Sequence, residues 1–244
     1  MEIQLFDTSI SQPSIFKSGL IEGAKLIGAD KFQERGKYGE GVVIACIDSG
    51  CDINHPNLKD RIVGYKNFTD DDRYDPNNVT DYLGHGTHTA GIIGASDIGD
   101  KGIIGVAPKC GILVLKALST RGGKTAWVTE AIKYAIEQNV DIISMSLGSP
   151  RGDTDMRKAI QKAISKGISV VVACGNNGDN KATTVEINYP AGFNECISVG
   201  SVSYSKSKSR FSATNNEVDL VCFGEGYNSR GVLSTFPKGL YKEM

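Results

Sequence analysis

Five short runs of apolar and β-branched residues recur along this chain: Val42–Ile47, Ile112–Leu115, Asp141–Met145, Ile168–Cys174 and Cys196–Val202. Each is bounded by Gly, Pro, Asn or Asp, the residues that end strands. The stretches between them include two amphipathic segments. In Thr125–Asn139 the apolar positions Val128, Ala131, Ile132, Ala135 and Ile136 repeat at helical spacing. In Asp153–Lys166 the set Met156, Ala159, Ile160, Ala163 and Ile164 does the same, and Gly167 supplies a C-terminal stop. A strand that is apolar along its whole length must be covered on both faces. Strands of that kind alternating with helices predict an α/β fold of three layers, a central and mostly parallel sheet flanked by helices.

The bulk properties agree with one such domain. At 244 residues the chain can bury a large core without staples. Its net charge of −1 provides no electrostatic pull toward nucleic acid or an anionic membrane. The N-terminal MEIQLFDTSISQ lacks the basic and apolar regions of a secretory signal, and Ile168–Cys174 is far too short to span a bilayer. Six scattered cysteines form no CxxC pair. A reduced, cytoplasmic protein is expected. Residues 1–18 are polar and Ser-rich and are expected to be an extension outside the core, with the domain proper over 19–244. A single helix is expected over Gly23–Glu34.

In parallel sheets the reactive groups gather at the carboxyl ends of the strands. The first run leads into Asp48-Ser49-Gly50, a carboxylate followed by a glycine that permits a sharp turn. Such an aspartate either orients another side chain or bonds its own backbone. The second motif is Gly84-His85-Gly86-Thr87-His88-Thr89-Ala90-Gly91, which opens a helix of small residues able to pack closely on a neighbour. His85 and His88, with His55, could alternatively ligate zinc, although no Glu stands at metalloprotease spacing. The third motif is Val170–Cys174 followed by Gly175-Asn176-Asn177-Gly178. Asn176 is either part of a turn or an uncharged donor for a developing oxyanion. Neither nucleotide-binding motif, GxGxxG after a strand or GxxxxGK[ST], is present.

Taken in order, Asp48, His85 and Asn176 resemble the subtilisin-like serine protease family. Asn54-His55-Pro56-Asn57-Leu58, Gly105-Val106-Ala107-Pro108, Ser144-Met145-Ser146-Leu147-Gly148 and Tyr189-Pro190-Ala191 extend the likeness from about residue 19 onward. Asn67-Phe68-Thr69-Asp70-Asp71-Asp72 makes it most similar to the intracellular subtilisins. The resemblance implies a serine endopeptidase acting on extended peptides. His85 would be the general base, Asp48 its orienting partner and Asn176 an oxyanion donor. Ser146, Leu147 and Gly148 would form one substrate edge, Gly122 and Gly123 the other. No cofactor would be required for the chemistry, and a structural calcium ion would be allowed.

The same resemblance sets three departures in relief. The family's Gly-Thr-Ser-x-Ala nucleophile motif does not occur in residues 1–244, although Gly231–Pro237 resembles the stretch before it. This chain alone is therefore expected to be inactive, with a second chain as one source of the missing part, or to be a peptide-binding relative of the proteases. Asn57 stands where the family commonly has a calcium-ligating aspartate, and Ser96–Ile103 replaces a calcium loop with altered length. Residues 1–18 match a segment that crosses the active-site cleft in intracellular subtilisins, and are expected near the cleft.

Overall fold

Consecutive side chains of a strand point to opposite faces, so a run apolar throughout splits its residues between two cores. The computed structural model describes residues 2–5, 19–99, 102–179, 181 and 183–244, and it shows this division. The chain order opens with β1 (Glu2–Leu5), β2 (Gly19–Leu20), α1 (Glu22–Leu26) and α2 (Ala29–Glu34). Next come β3 (Val43–Asp48), β4 (Ile62–Asn67), a 3₁₀ turn at Asp71–Tyr74, α3 (His85–Gly94) and β5 (Ile103–Ile104). They are followed by β6 (Gly111–Lys116), β7 (Leu118–Ser119), β8 (Gly122–Lys124), α4 (Thr125–Glu137), β9 (Ile142–Met145) and β10 (Leu147–Gly148). The remainder is α5 (Thr154–Ser165), β11 (Ser169–Ala173), β12 (Ile197–Ser203), β13 (Leu220–Glu225), a second 3₁₀ turn, β14 (Leu233–Phe236) and β15 (Leu240–Glu243).

Seven strands form the central sheet in the order β13-β12-β11-β9-β3-β6-β4. Every neighbouring pair is parallel. Ala45 and Ile47 of β3, Leu113 and Leu115 of β6, and Val170 and Val172 of β11 pack with Val128, Ile132 and Ile160 of α4 and α5. The alternate residues Ile44, Cys46, Ile112 and Val114 pack on the other face with Ala90, Ala95 and Ala24. The expected three layers are present. At the start of α5, Asp153 Oδ1 accepts from the Met156 amide at 2.8 Å, satisfying one of the open N–H groups of the first turn.

Three features depart from the sequence expectation. The helix expected over Gly23–Glu34 is two helices, because Gly28 adopts φ +82° between them, a left-handed conformation that ends α1. Strands β4 and β13, at the two edges of the sheet, were not anticipated. Their exposed Val63, Tyr65, Leu220 and Val221 give them no continuous buried pattern to read. The N-terminal segment is not wholly outside the core. β1 pairs antiparallel with both β8 and β10, and Ile3 is buried against Leu118 and Leu147. The rest of the expected extension, Met1 and residues 6–18, lies outside the described residues.

Candidate active site

Strands β11, β9 and β3 are adjacent at the centre of the sheet and run the same way. In register, Ile47 lies beside Met145 and Met145 beside Val172. The residues that follow these strands therefore emerge along one rim, in neighbouring positions about 4.8 Å apart. They are Asp48 from β3, Ser146 after β9 and Gly175-Asn176 after β11. Parallel pairing thus brings Asp48 and Asn176, far apart in the sequence, to the same rim.

His85 is delivered to the same rim as the first residue of α3. Its Nδ1 lies 2.7 Å from Asp48 Oδ1, and both side chains are buried. Asp48 Oδ1 also accepts from the Ser49 amide at 2.7 Å, which fixes the carboxylate plane. A network beneath the pair holds helix and strand together. Ser49 Oγ donates to Asp81 Oδ1 at 2.8 Å and accepts from the Gly86 amide at 2.9 Å. Asp81 Oδ2 accepts from the Thr87 amide at 2.8 Å and from the Thr87 hydroxyl at 2.7 Å. The first-turn amides of α3 are thus satisfied by Ser49, just after β3, and by Asp81, in the segment that leads into the helix. A carboxylate at that end of a helix also complements its dipole.

Asp81 was not singled out from sequence. An acidic residue a few positions before a helix start is the signal that marks it. Lys116 was also missed, since a lysine at the end of an apolar run reads as a solvent-facing terminus. It is 1% exposed. Its Nζ donates to Thr80 O at 2.6 Å, pairs with Asp71 Oδ2 at 3.0 Å and lies over the Tyr82 ring. It braces the loop that carries Asp81.

The tight packing anticipated for the small-residue helix falls on β14. A Cβ at Gly91 would sit 2.2 Å from Thr235 Oγ1 and 2.4 Å from Ser234 Oγ. These hydroxyls donate to the carbonyls of Thr87 and His88, each at 2.7 Å.

Asn176 and His85 line one cavity of about 200 Å³, together with Ser146, Ala173, Val232 and Met244. The turn that presents Asn176 needs Gly175, which has φ +122° and whose Cβ would lie 2.1 Å from Asn188 Nδ2. Cys174 stands two residues before Asn176, but its thiol is buried and burial pushes its pKa up, opposite to what a nucleophilic thiolate requires.

The residues expected from sequence as two substrate edges fall in two short strands. Leu147 and Gly148 form β10, and Gly122 and Gly123 belong to β8. β1 lies between them, with Leu5 opposite Leu147, Gln4 opposite Gly148, and Ile3 opposite Gly123. A strand is thus already hydrogen-bonded to both edges.

The other histidines are committed elsewhere. His88 Nε2 donates to Val232 O at 2.8 Å, and burial lowers the His88 pKa to about 4. His55 Nε2 donates to Leu240 O at 2.9 Å. Among the described residues no three His, Cys, Asp or Glu side chains converge as a metal-ligand set, and the zinc arrangement is not formed. Asn57, at the position where the resemblance allows calcium, does not fit that ion either. Its side-chain nitrogen donates to Ser96 O at 2.6 Å and to Ile103 O at 3.1 Å, so a donor faces the oxygens a cation would need.

A doubly covered parallel sheet thus carries a buried aspartate–histidine pair on one rim, an arrangement of the kind that serine proteases use. The model of the subtilase family matches residues 39–243, and the chain belongs to that family of serine endopeptidases. It is 43% identical to the major intracellular serine protease of Bacillus subtilis (strain 168), over 100% of this chain and 75% of that protein. It is 48% identical to an intracellular serine protease of Paenibacillus polymyxa, over 83% of this chain and 61% of that protein. Subtilisin DY of Bacillus licheniformis is 36% identical over 91% of this chain and 77% of its own length. The chain thus spans about three-quarters and three-fifths of the two intracellular relatives.

Proposed function

We propose that residues 19–244 form the larger part of an intracellular, cytoplasmic serine endopeptidase that cleaves extended peptides, with Asp48, His85 and Asn176 in its active site. The observation that carries this reading is the buried 2.7 Å contact between Asp48 and His85 on the rim where Asn176 also emerges. With Nδ1 held by the carboxylate, Nε2 takes the proton from an attacking hydroxyl and returns it to the leaving amine. Asp48 stabilises the imidazolium formed in that exchange. The Asn176 amide donates to the tetrahedral oxyanion, an interaction typically worth about 10²–10³ in turnover. The family's serine motif does not occur in residues 1–244, and this reading requires a nucleophile from outside them.

Substrate would add as a strand between Leu147-Gly148 and Gly122-Gly123, with Ser146 beside the scissile bond. In this reading β1 is a cleft-occupying segment that substrate must displace. The occupied edges also support a second reading, a peptide-binding protein on a protease scaffold, because strand addition needs no nucleophile. A serine-directed fluorophosphonate probe separates the two. The purified chain is expected to stay unlabelled. The chain mixed with a polypeptide carrying the Gly-Thr-Ser segment of an intracellular relative is expected to be labelled and to cleave peptides. Cleavage that survives both Asp48→Asn and His85→Ala would refute the catalytic assignment.

A further inference from the structure

The Asn57 side chain is fully buried where three separate parts of the chain meet. Its backbone carbonyl accepts from the Ser96 amide at 2.8 Å, just after α3. Its Nδ2 donates to Ser96 O and to Ile103 O in β5. Its Oδ1 accepts from the Tyr241 hydroxyl on β15. Both amide hydrogens and the oxygen are therefore engaged, which accounts for the amide's main valences. The backbone approaches this side chain closely at Gly102. A Cβ on Gly102 would lie 2.7 Å from Asn57 Oδ1, 2.9 Å from Nδ2 and 2.9 Å from the Tyr241 hydroxyl.

The orientation of this amide decides what the junction can hold. With nitrogen toward Ser96 O and Ile103 O, each carbonyl has a hydrogen-bond donor. Rotated by half a turn, the amide would set three oxygens face to face, an arrangement that only a hard cation stabilises. An aspartate could present only oxygen there. The donors, acceptors and carbonyl positions agree on the first arrangement, which is how an amide is assigned. The nearest acidic residue of the following segment, Asp97, is exposed and accepts from the Gly99 amide at 3.0 Å. Asp100 and Lys101 lie outside the described residues.

We propose that the Asn57 amide is a built-in replacement for a structural cation, joining the α3 exit, β5 and β15 by hydrogen bonds so that this junction needs no calcium. The nitrogen supplies as neutral N–H donors what a bound ion supplies as positive charge, and it cannot dissociate.

Hydrogen–deuterium exchange of the full chain, in millimolar calcium and in chelator, tests this at the junction itself. Protection of the Ser96 and Gly105 amides, which bond to Asn57 O and Ala95 O, is expected to be the same in both conditions. In Asn57→Asp the two donations are replaced by carboxylate oxygen against carbonyl oxygen. That variant is expected to lose protection at these amides in chelator and regain it with calcium, binding the ion at least about ten-fold more tightly than the parent. Calcium-dependent protection of Ser96 and Gly105 in the parent would overturn the proposal. So would an Asn57→Asp variant whose protection ignores calcium. If Asn57→Asp does not fold, the parent measurement decides alone.

Discussion

Lowering the pH should destabilise this protein through His88. The residue is 6% exposed, its Nε2 donates to Val232 O, and burial holds its pKa at about 4 against 6.5 for the free side chain. Above both values the imidazole is neutral in the folded and the unfolded chain, and it contributes no pH dependence. As the pH falls through 6.5 the unfolded chain takes up a proton that the folded protein resists. Stability is then lost at about 1.4 kcal/mol per unit of pH until the folded pKa is reached, a total of about 3 kcal/mol. That is a large part of the roughly 5–15 kcal/mol that holds a domain folded. Burial lowers the pKa of His55 as well, so it adds loss of the same sign.

Carboxylates titrate in the same range, so the assay is a difference. Urea unfolding followed by the fluorescence of Trp127, the single tryptophan, would be measured for the parent and for His88→Gln between about pH 7 and about pH 4. The glutamine can still donate to Val232 O but cannot be protonated. The stability of the parent relative to the variant is expected to fall by about 3 kcal/mol across the series. Parallel curves for the two proteins would refute the reasoning.

Gly91→Ala is expected to destabilise by about 1–3 kcal/mol or more, read as a fall in urea midpoint, because its Cβ meets Thr235 and Ser234 well inside contact distance. In a preparation made active by the missing serine segment, Asp48→Asn should lower turnover about 10⁴-fold, and Asn176→Ala about 10²–10³-fold, measured by peptide hydrolysis. Ile3→Asp places a charge in an apolar site and should release β1 from β8 and β10. Since a tethered segment competes at millimolar effective concentration, a labelled extended peptide should then bind at least about ten-fold more tightly by fluorescence anisotropy, and an unchanged Kd would remove β1 from the cleft in solution.

Local pattern alone was sufficient for the layers, whereas the candidate polar residues took their roles from the family resemblance of the three motifs taken in order. Continuous apolar runs can be buried only on two faces, so Val43–Asp48, Gly111–Lys116 and Ser169–Ala173 were legible as central strands to within a residue or two. Asp48, His85 and Asn176 were legible because each follows or opens such an element. What the sequence could not determine is which strand lies beside which. The order β11-β9-β3, and so the meeting of the three at one rim, depends on pairings between residues far apart in the chain.

The tertiary structure also decided the fate of groups whose chemistry points two ways. Lys116 and Asp81 were not singled out from sequence, and they are buried because each finds partners that the fold brings from other segments. Asn57 reads as a weakened calcium ligand. In the folded chain the same amide turns its nitrogen to the carbonyls of Ser96 and Ile103, which only a donor can satisfy, and its oxygen accepts from the Tyr241 hydroxyl. A side chain's period can be counted along a chain, whereas its partner is set only when distant segments pack.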